Sequence, residues 1–177
     1  MQPLWRPLLA HEAMFARQYF GVEQGDWLVR HVRLGVRRVG DTRRALCLNG
    51  GWMSFPRVCF VRQQLAQGLL LQHPQVAGLF AHELLHQLQR RQGLPVTRQA
   101  LWLQCRMVMG WGDPYEYRRC ASATGQLRVF WRAQVEQQAQ MWQDHVQAQV
   151  AGQPNPCFAL LERAVQQGRL RCGQRLA

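Results

Sequence analysis

Residues 80–87 read Phe80-Ala81-His82-Glu83-Leu84-Leu85-His86-Gln87, a His-Glu-x-x-His pentamer inside a run with helical periodicity. Val76, Leu79, Phe80, Leu84, Leu85 and Leu88 form one apolar stripe, which predicts a buried helix over 75–92, ended by Gly93 and Pro95. At 3.6 residues per turn His82 and His86 project from the same side, one turn apart, so their imidazoles can converge on one cation. Glu83 falls beside them, placed to bind and deprotonate a water held by that cation without filling a ligand position itself. Chance places such a pentamer in about one of 150 chains with this His and Glu content. The plainer reading is a pair of core histidines, but two buried imidazoles without a common partner are costly. The stretch points to a zinc hydrolase built around a metal-binding helix.

Two histidines leave a tetrahedral zinc one protein ligand and a water short, and a carboxylate from another helix is a common completion. A long helix is expected over 127–150, with Val135, Ala139, Trp142 and Val146 as its buried stripe. Glu136 adjoins that stripe among neutral glutamines. Asp113 and Glu116, in a loop over 110–119, compete with it, as do Asp144 and His145, two turns further along the helix. An isolated acid beside a buried stripe suits the role better, which makes Glu136 the expected third ligand. In the same loop, Tyr115 and Tyr117 are candidates for polarising a substrate carbonyl or steadying an oxyanion, with packing as the plainer use of either.

HELLH at 82–86 followed after a long insertion by VEQQAQ at 135–140 resembles the gluzincin clan of zinc metallopeptidases, in which a Glu on a later helix completes the metal site. Glu136-Gln137-Gln138-Ala139 matches the first part of the ExxAD-like context of that clan. Gln140 stands where an Asp would support a metal-bound His, so an amide or another group must do so here. Together with LLAHEAMFARQYFG at 8–21 and DPYEYR at 113–118, these stretches look like the small bacterial metallopeptidase-like proteins known as Vgr-related, associated with contractile injection (type VI secretion) systems. The resemblance spans residues 8–150. It implies an α+β, zincin-like fold with a small sheet above the active helix, and a Zn2+ cofactor. It further implies a polypeptide or cell-wall peptide substrate, and a role as secreted effector or as accessory to that machine, with a secretion-system or inhibitor protein as partner. A non-catalytic zinc-containing scaffold is the alternative.

A chain of 177 residues, 47% hydrophobic, supplies one domain, with its core over 8–150 and a C-terminal helical extension over 151–177. The net charge of +12 comes from arginine and attracts polyanions. Those arginines are scattered singly and in short pairs, without a nucleic-acid motif, so they describe a basic surface and no specific nucleic-acid partner. The cysteines at 47, 59, 105, 120, 157 and 172 lack the spacing of a zinc knuckle. Residues 1–10 carry Pro3 and Pro7 and no apolar signal region, and no run reaches the length of a membrane span. The expectation is cytoplasmic synthesis with reduced thiols, any export relying on a dedicated machine.

The remaining elements follow from periodicity and turn residues. A helix is expected over 8–20, stopped by Gly21, with His11 and Glu12 on its surface. Near-alternation predicts a strand over 27–36, in which His31 is a packed or exposed strand residue. Further short strands over 45–48, 52–55 and 58–61 are separated by turns at Gly40-Asp41 and Asn49-Gly50-Gly51. A helix over 97–109, capped by Thr97, is expected to bury Leu101, Trp102, Cys105 and Val108. A last helix over 157–170 should pack on the domain through Phe158, Leu161, Val165 and Leu170.

Overall fold

The computed structural model of the chain describes residues 5–36, 46–48, 57–60, 68–110, 113 and 115–171. After β1 (Trp5–Arg6) the chain enters α1 (Ala10–His31). Glu12, at the third helical position, reaches back to the Leu9 N–H at 2.8 Å and so caps the helix. It also takes two hydrogen bonds from Arg6, at 2.6 and 2.7 Å, and one from the Leu69 N–H at 3.2 Å. The expected surface pair is therefore half right: His11 is exposed, whereas Glu12 is fully buried and ties β1, α1 and the segment before the next helix together.

Gly21 was expected to end this helix; instead it kinks it. Its backbone (φ 74, ψ 165) is open to glycine alone, and the helix resumes beyond it. A Cβ on Gly25 would stand 2.6 Å from the Arg17 backbone, so only glycine lets the second half lie against the first. Residues 27–31 are thus helical, which corrects the strand expected over 27–36 to β2 (Arg33–Val36). The alternating pattern also satisfies a helical one, since Gln24, Leu28 and Val32 are buried at four-residue spacing. His31 accordingly lies on a helix, stacked on Trp27 with ring centroids 4.8 Å apart and Nδ1 2.8 Å from the Trp27 carbonyl oxygen.

β3 (Leu46–Leu48) and β4 (Arg57–Phe60) agree with two of the expected strands. The strand over 52–55 and the turns at 40–41 and 49–51 lie outside the described residues. The sheet has the order β1-β2-β4-β3, with β2 parallel to β4 (Leu34 opposite Val58) and both outer pairs antiparallel. Leu34 and Val58 are fully buried on the core side.

The pentamer lies in α2 (Pro74–Arg91), where Pro74 opens the helix at a position that needs no N–H. Residues 80–89 are buried without interruption, because α2 runs between the sheet side and α5, with which it shares the most extensive contact of any two described elements. Next comes α3 (Val96–Val108), which already includes Thr97, so Thr97 is not its cap. The apolar stripe expected to be buried faces outward: Leu101 is 63% exposed, Trp102 55% and Val108 83%, and Cys105 is exposed as well. Periodicity finds a stripe but does not say which side the core lies on; Val96 and Gln99 face inward instead.

The single helix expected over 127–150 is two, α4 (Ala123–Arg132) and α5 (Val135–Val150), broken where Ala133 and Gln134 are both extended. The Ser122 side chain caps α4 by accepting from the Gly125 N–H. The buried stripe of α5 is the one the spacing predicts: Val135, Ala139, Trp142 and Val146 are all fully buried. The tail forms a 3-10 turn (Pro156–Phe158) and α6 (Ala159–Gln166), which packs on α1 and α4 and buries Phe158, Leu161, Val165 and Leu170 as expected. One continuous hydrophobic cluster runs from Leu8 to Leu170 and draws on α1, α2, α4, α5, α6 and the sheet, in an α+β arrangement. Among the described residues no helix is long and apolar enough to cross a membrane.

Candidate metal centre

His82 and His86 occupy successive turns in the middle of α2, and the break before α5 places Glu136 in the first turn of that helix. All three are at least nine-tenths buried. Nε2 of His86 lies 3.1 Å from Nε2 of His82, and Oε2 of Glu136 lies 3.4 and 3.5 Å from the two nitrogens. The imidazole planes stand edge to face at 82°, with the two Nε2 atoms brought together. Three donors bound tetrahedrally to zinc at ~2.0–2.1 Å lie about 3.3 Å from one another, and the observed triangle matches that requirement. The cluster can hold a metal ion; among the described residues no other group of three His, Cys, Asp or Glu side chains converges in this way.

The electrostatics favour positive charge here. Burial alone would raise the Glu136 carboxyl, but hydrogen bonds and charge from His82 and His86 hold it well below the usual carboxylate range. Burial likewise opposes charge on His86, yet Glu136, the nearby Glu83 charge and Gln89 outweigh it and push that imidazole up. Glu83 is itself buried beside the pair, close enough for His86 to feel its charge.

Gln89, one turn beyond His86, accepts from His86 Nδ1 at 2.8 Å. Its own amide hydrogens go to the Val135 carbonyl (3.2 Å) and to Gln138 Oε1 (2.9 Å), so the side chain cannot be turned round. In its neutral form His86 therefore carries its proton on Nδ1 and offers a lone pair at Nε2, the form a metal ligand needs. Nδ1 of His82 is buried and has no hydrogen-bond partner among the described residues. Sequence reasoning missed Gln89. With Gln140 in the place of the supporting Asp, an amide or another group is expected in that role, with no residue named; Gln140 itself donates to Asp144 at 2.7 Å, and the available signal for Gln89 was a glutamine three residues after a candidate ligand on a buried face.

The two tyrosines part company. Tyr115 is half-buried with its ring centroid 6.3 Å from that of His82, on a turn in which its N–H bonds Asp113 at 2.8 Å. Tyr117 gives its hydroxyl to Asp144 at 2.6 Å, two turns along α5 from Glu136, and burial together with Asp144 pushes the phenol up. Tyr117, Asp144 and His145 line a cleft of about 460 Å³. His145 is stacked on Phe158 and faces Glu162 at 3.3 Å, while Asp113 and Glu116 are exposed in the loop. Of the competing acids, then, only Glu136 reaches the histidine pair. No protein-family model, curated protein or solved structure matches the chain.

Proposed function

We propose that the chain is a zinc-dependent peptidase of the gluzincin kind, in which His82, His86 and Glu136 hold the ion and Glu83 is the general base. The observation that carries this reading is the triangle of two imidazole nitrogens and one carboxylate oxygen, 3.1–3.5 Å on a side, with a fourth ionisable side chain buried next to it. Two imidazoles and one carboxylate suit zinc, which when bound polarises a scissile carbonyl and acidifies a water in its remaining position. Glu83 takes the proton of the attacking water and returns it to the leaving amine. Tyr115, beside His82, donates to the developing oxyanion. Glu136 leads α5, where the helix N-terminus favours a carboxylate.

A peptide substrate is supported by the sheet. β3 pairs with β4 alone among the described strands and touches α2, so an extended chain can add along its other edge. The association with a contractile injection system rests on the sequence resemblance alone.

A second reading, a zinc-containing scaffold without turnover, is favoured by the outward apolar stripe of α3, a surface of the kind that partners cover. One experiment separates the two. The purified chain and its Glu83→Gln variant are assayed for zinc content and for cleavage of unfolded polypeptide and cell-wall stem peptides. The peptidase reading expects both to hold zinc and only the wild type to cleave. Equal cleavage by the variant overturns the assignment of Glu83, and zinc without cleavage by either favours the scaffold.

A further inference from the structure

We infer that Gln89 is the positioning residue of this centre: it fixes the tautomer of His86 and, through the Val135 carbonyl, the place of Glu136 relative to it. The inference rests on the zinc reading above and deepens it.

Three ligands from two helices need something that sets the distance between those helices at the site itself. Gln89 touches both sides. Its oxygen accepts from His86 Nδ1 at 2.8 Å, and its nitrogen donates to the carbonyl of Val135, the peptide group leading directly into Glu136, at 3.2 Å. The second amide hydrogen goes to Gln138 Oε1 at 2.9 Å. Gln138 in turn donates to the carbonyls of Phe130 (2.8 Å) and Arg171. Gln89 and Gln138 are both fully buried, and each amide nitrogen has both hydrogens placed. Since each of the two amides is anchored on a backbone carbonyl, which only accepts (Val135 for Gln89, Phe130 and Arg171 for Gln138), every bond runs one way: His86 to Gln89, Gln89 to Gln138, Gln138 to Arg171. Reversing either amide would set oxygen against oxygen in the protein interior. The direction leaves His86 a single neutral form, with the lone pair on Nε2.

A second feature follows from the same geometry. Val135 donates its own N–H to the Gln99 side chain at 3.3 Å, so the opening turn of α5 is held from α2 at its carbonyl and from α3 at its amide. His82, whose Nδ1 has no hydrogen-bond partner among the described residues, has no such support from them on that atom, so among these residues the preorganised half of the site is His86 with Glu136.

Gln89→Met keeps the size of the side chain and removes all three hydrogen bonds. A positioning role predicts that the variant binds zinc about 10–100-fold more weakly in chelator competition. It also predicts cobalt(II) absorption bands that differ from those of the wild type, with the far-UV circular dichroism of the metal-free protein retained. Zinc affinity and cobalt bands equal to the wild type overturn the inference. Should the variant not fold, the metal-free wild type decides: long-range 1H–15N correlation with its imidazoles neutral must find the His86 proton on Nδ1, and a proton on Nε2 overturns the inference. A wild type that binds neither ion overturns the zinc reading and the metal half of this inference, while the tautomer measurement still judges the His86 half.

Discussion

Nε2 of His86 stands 3.1 Å from Nε2 of His82. The hydrogen bond from His86 Nδ1 to Gln89 leaves the first of these nitrogens a lone pair in the neutral imidazole, so the pair closes only around a shared cation or proton. The third donor, Glu136, arrives from a different helix and brings the compensating charge. A structural core rarely gathers two imidazoles and a carboxylate at such range without a ligand to hold, because each group loses its water on burial.

Tyr115 and Tyr117 are predicted to behave oppositely. Removing one donor to an oxyanion costs on the order of 10²–10³ in kcat, so Tyr115→Phe should lose about that much with KM little changed. Tyr117→Phe removes the 2.6 Å bond to Asp144 and should leave kcat near the wild type while lowering stability by about 1 kcal/mol. Steady-state kinetics on both variants checks this; a larger kcat loss for Tyr117→Phe would reverse the assignment.

Glu12 makes acid stability predictable. Burial raises its carboxyl, but hydrogen bonds and charge from Arg6 and the backbone N–H groups of Leu9 and Leu69 carry the folded value below the ordinary 4.5. A depressed carboxyl contributes stability that is present above its unfolded value and is lost as pH falls through the folded one. Glu12→Gln should therefore cost about 3 kcal/mol at neutral pH, and its stability should fall less than the wild type's as pH drops below 4.5. Urea unfolding of both proteins between neutral and acid pH gives the two curves; parallel curves would contradict this role for Glu12.

The outward stripe of α3 gives a test of the fold. Leu101 is 63% exposed, so Leu101→Ala should change stability by no more than about 0.5 kcal/mol, against the roughly 2–5 kcal/mol of a core leucine. Denaturant midpoints decide between these values, and a loss in the core range would put the stripe back inside.

How much of this was legible in the sequence varies with the kind of signal. The pentamer, its helix and the stripe of Val135, Ala139, Trp142 and Val146 were readable because chemistry and period agree there. Glu136 stood out as one charge among amides. Residues 27–31 were misread because their spacing satisfies two periods, and the kink at Gly21 hid the helix that continues past it. Ala133 and Gln134 carry no Gly or Pro signal, so the break before α5 was invisible, although it is what brings Glu136 to the start of a helix. The short β1 has two residues, too few for any pattern. Gln89 went unnoticed since a neutral amide announces nothing until its partners are known.

The most direct test of the centre is zinc stoichiometry with X-ray absorption at the zinc edge, on the wild type and on Glu136→Ala. The expected result is one zinc per chain in a four-coordinate nitrogen and oxygen shell at ~2.0–2.1 Å, lost or reduced to weak binding in the variant. A wild type without zinc, or a variant that keeps the same shell at full occupancy, would contradict it.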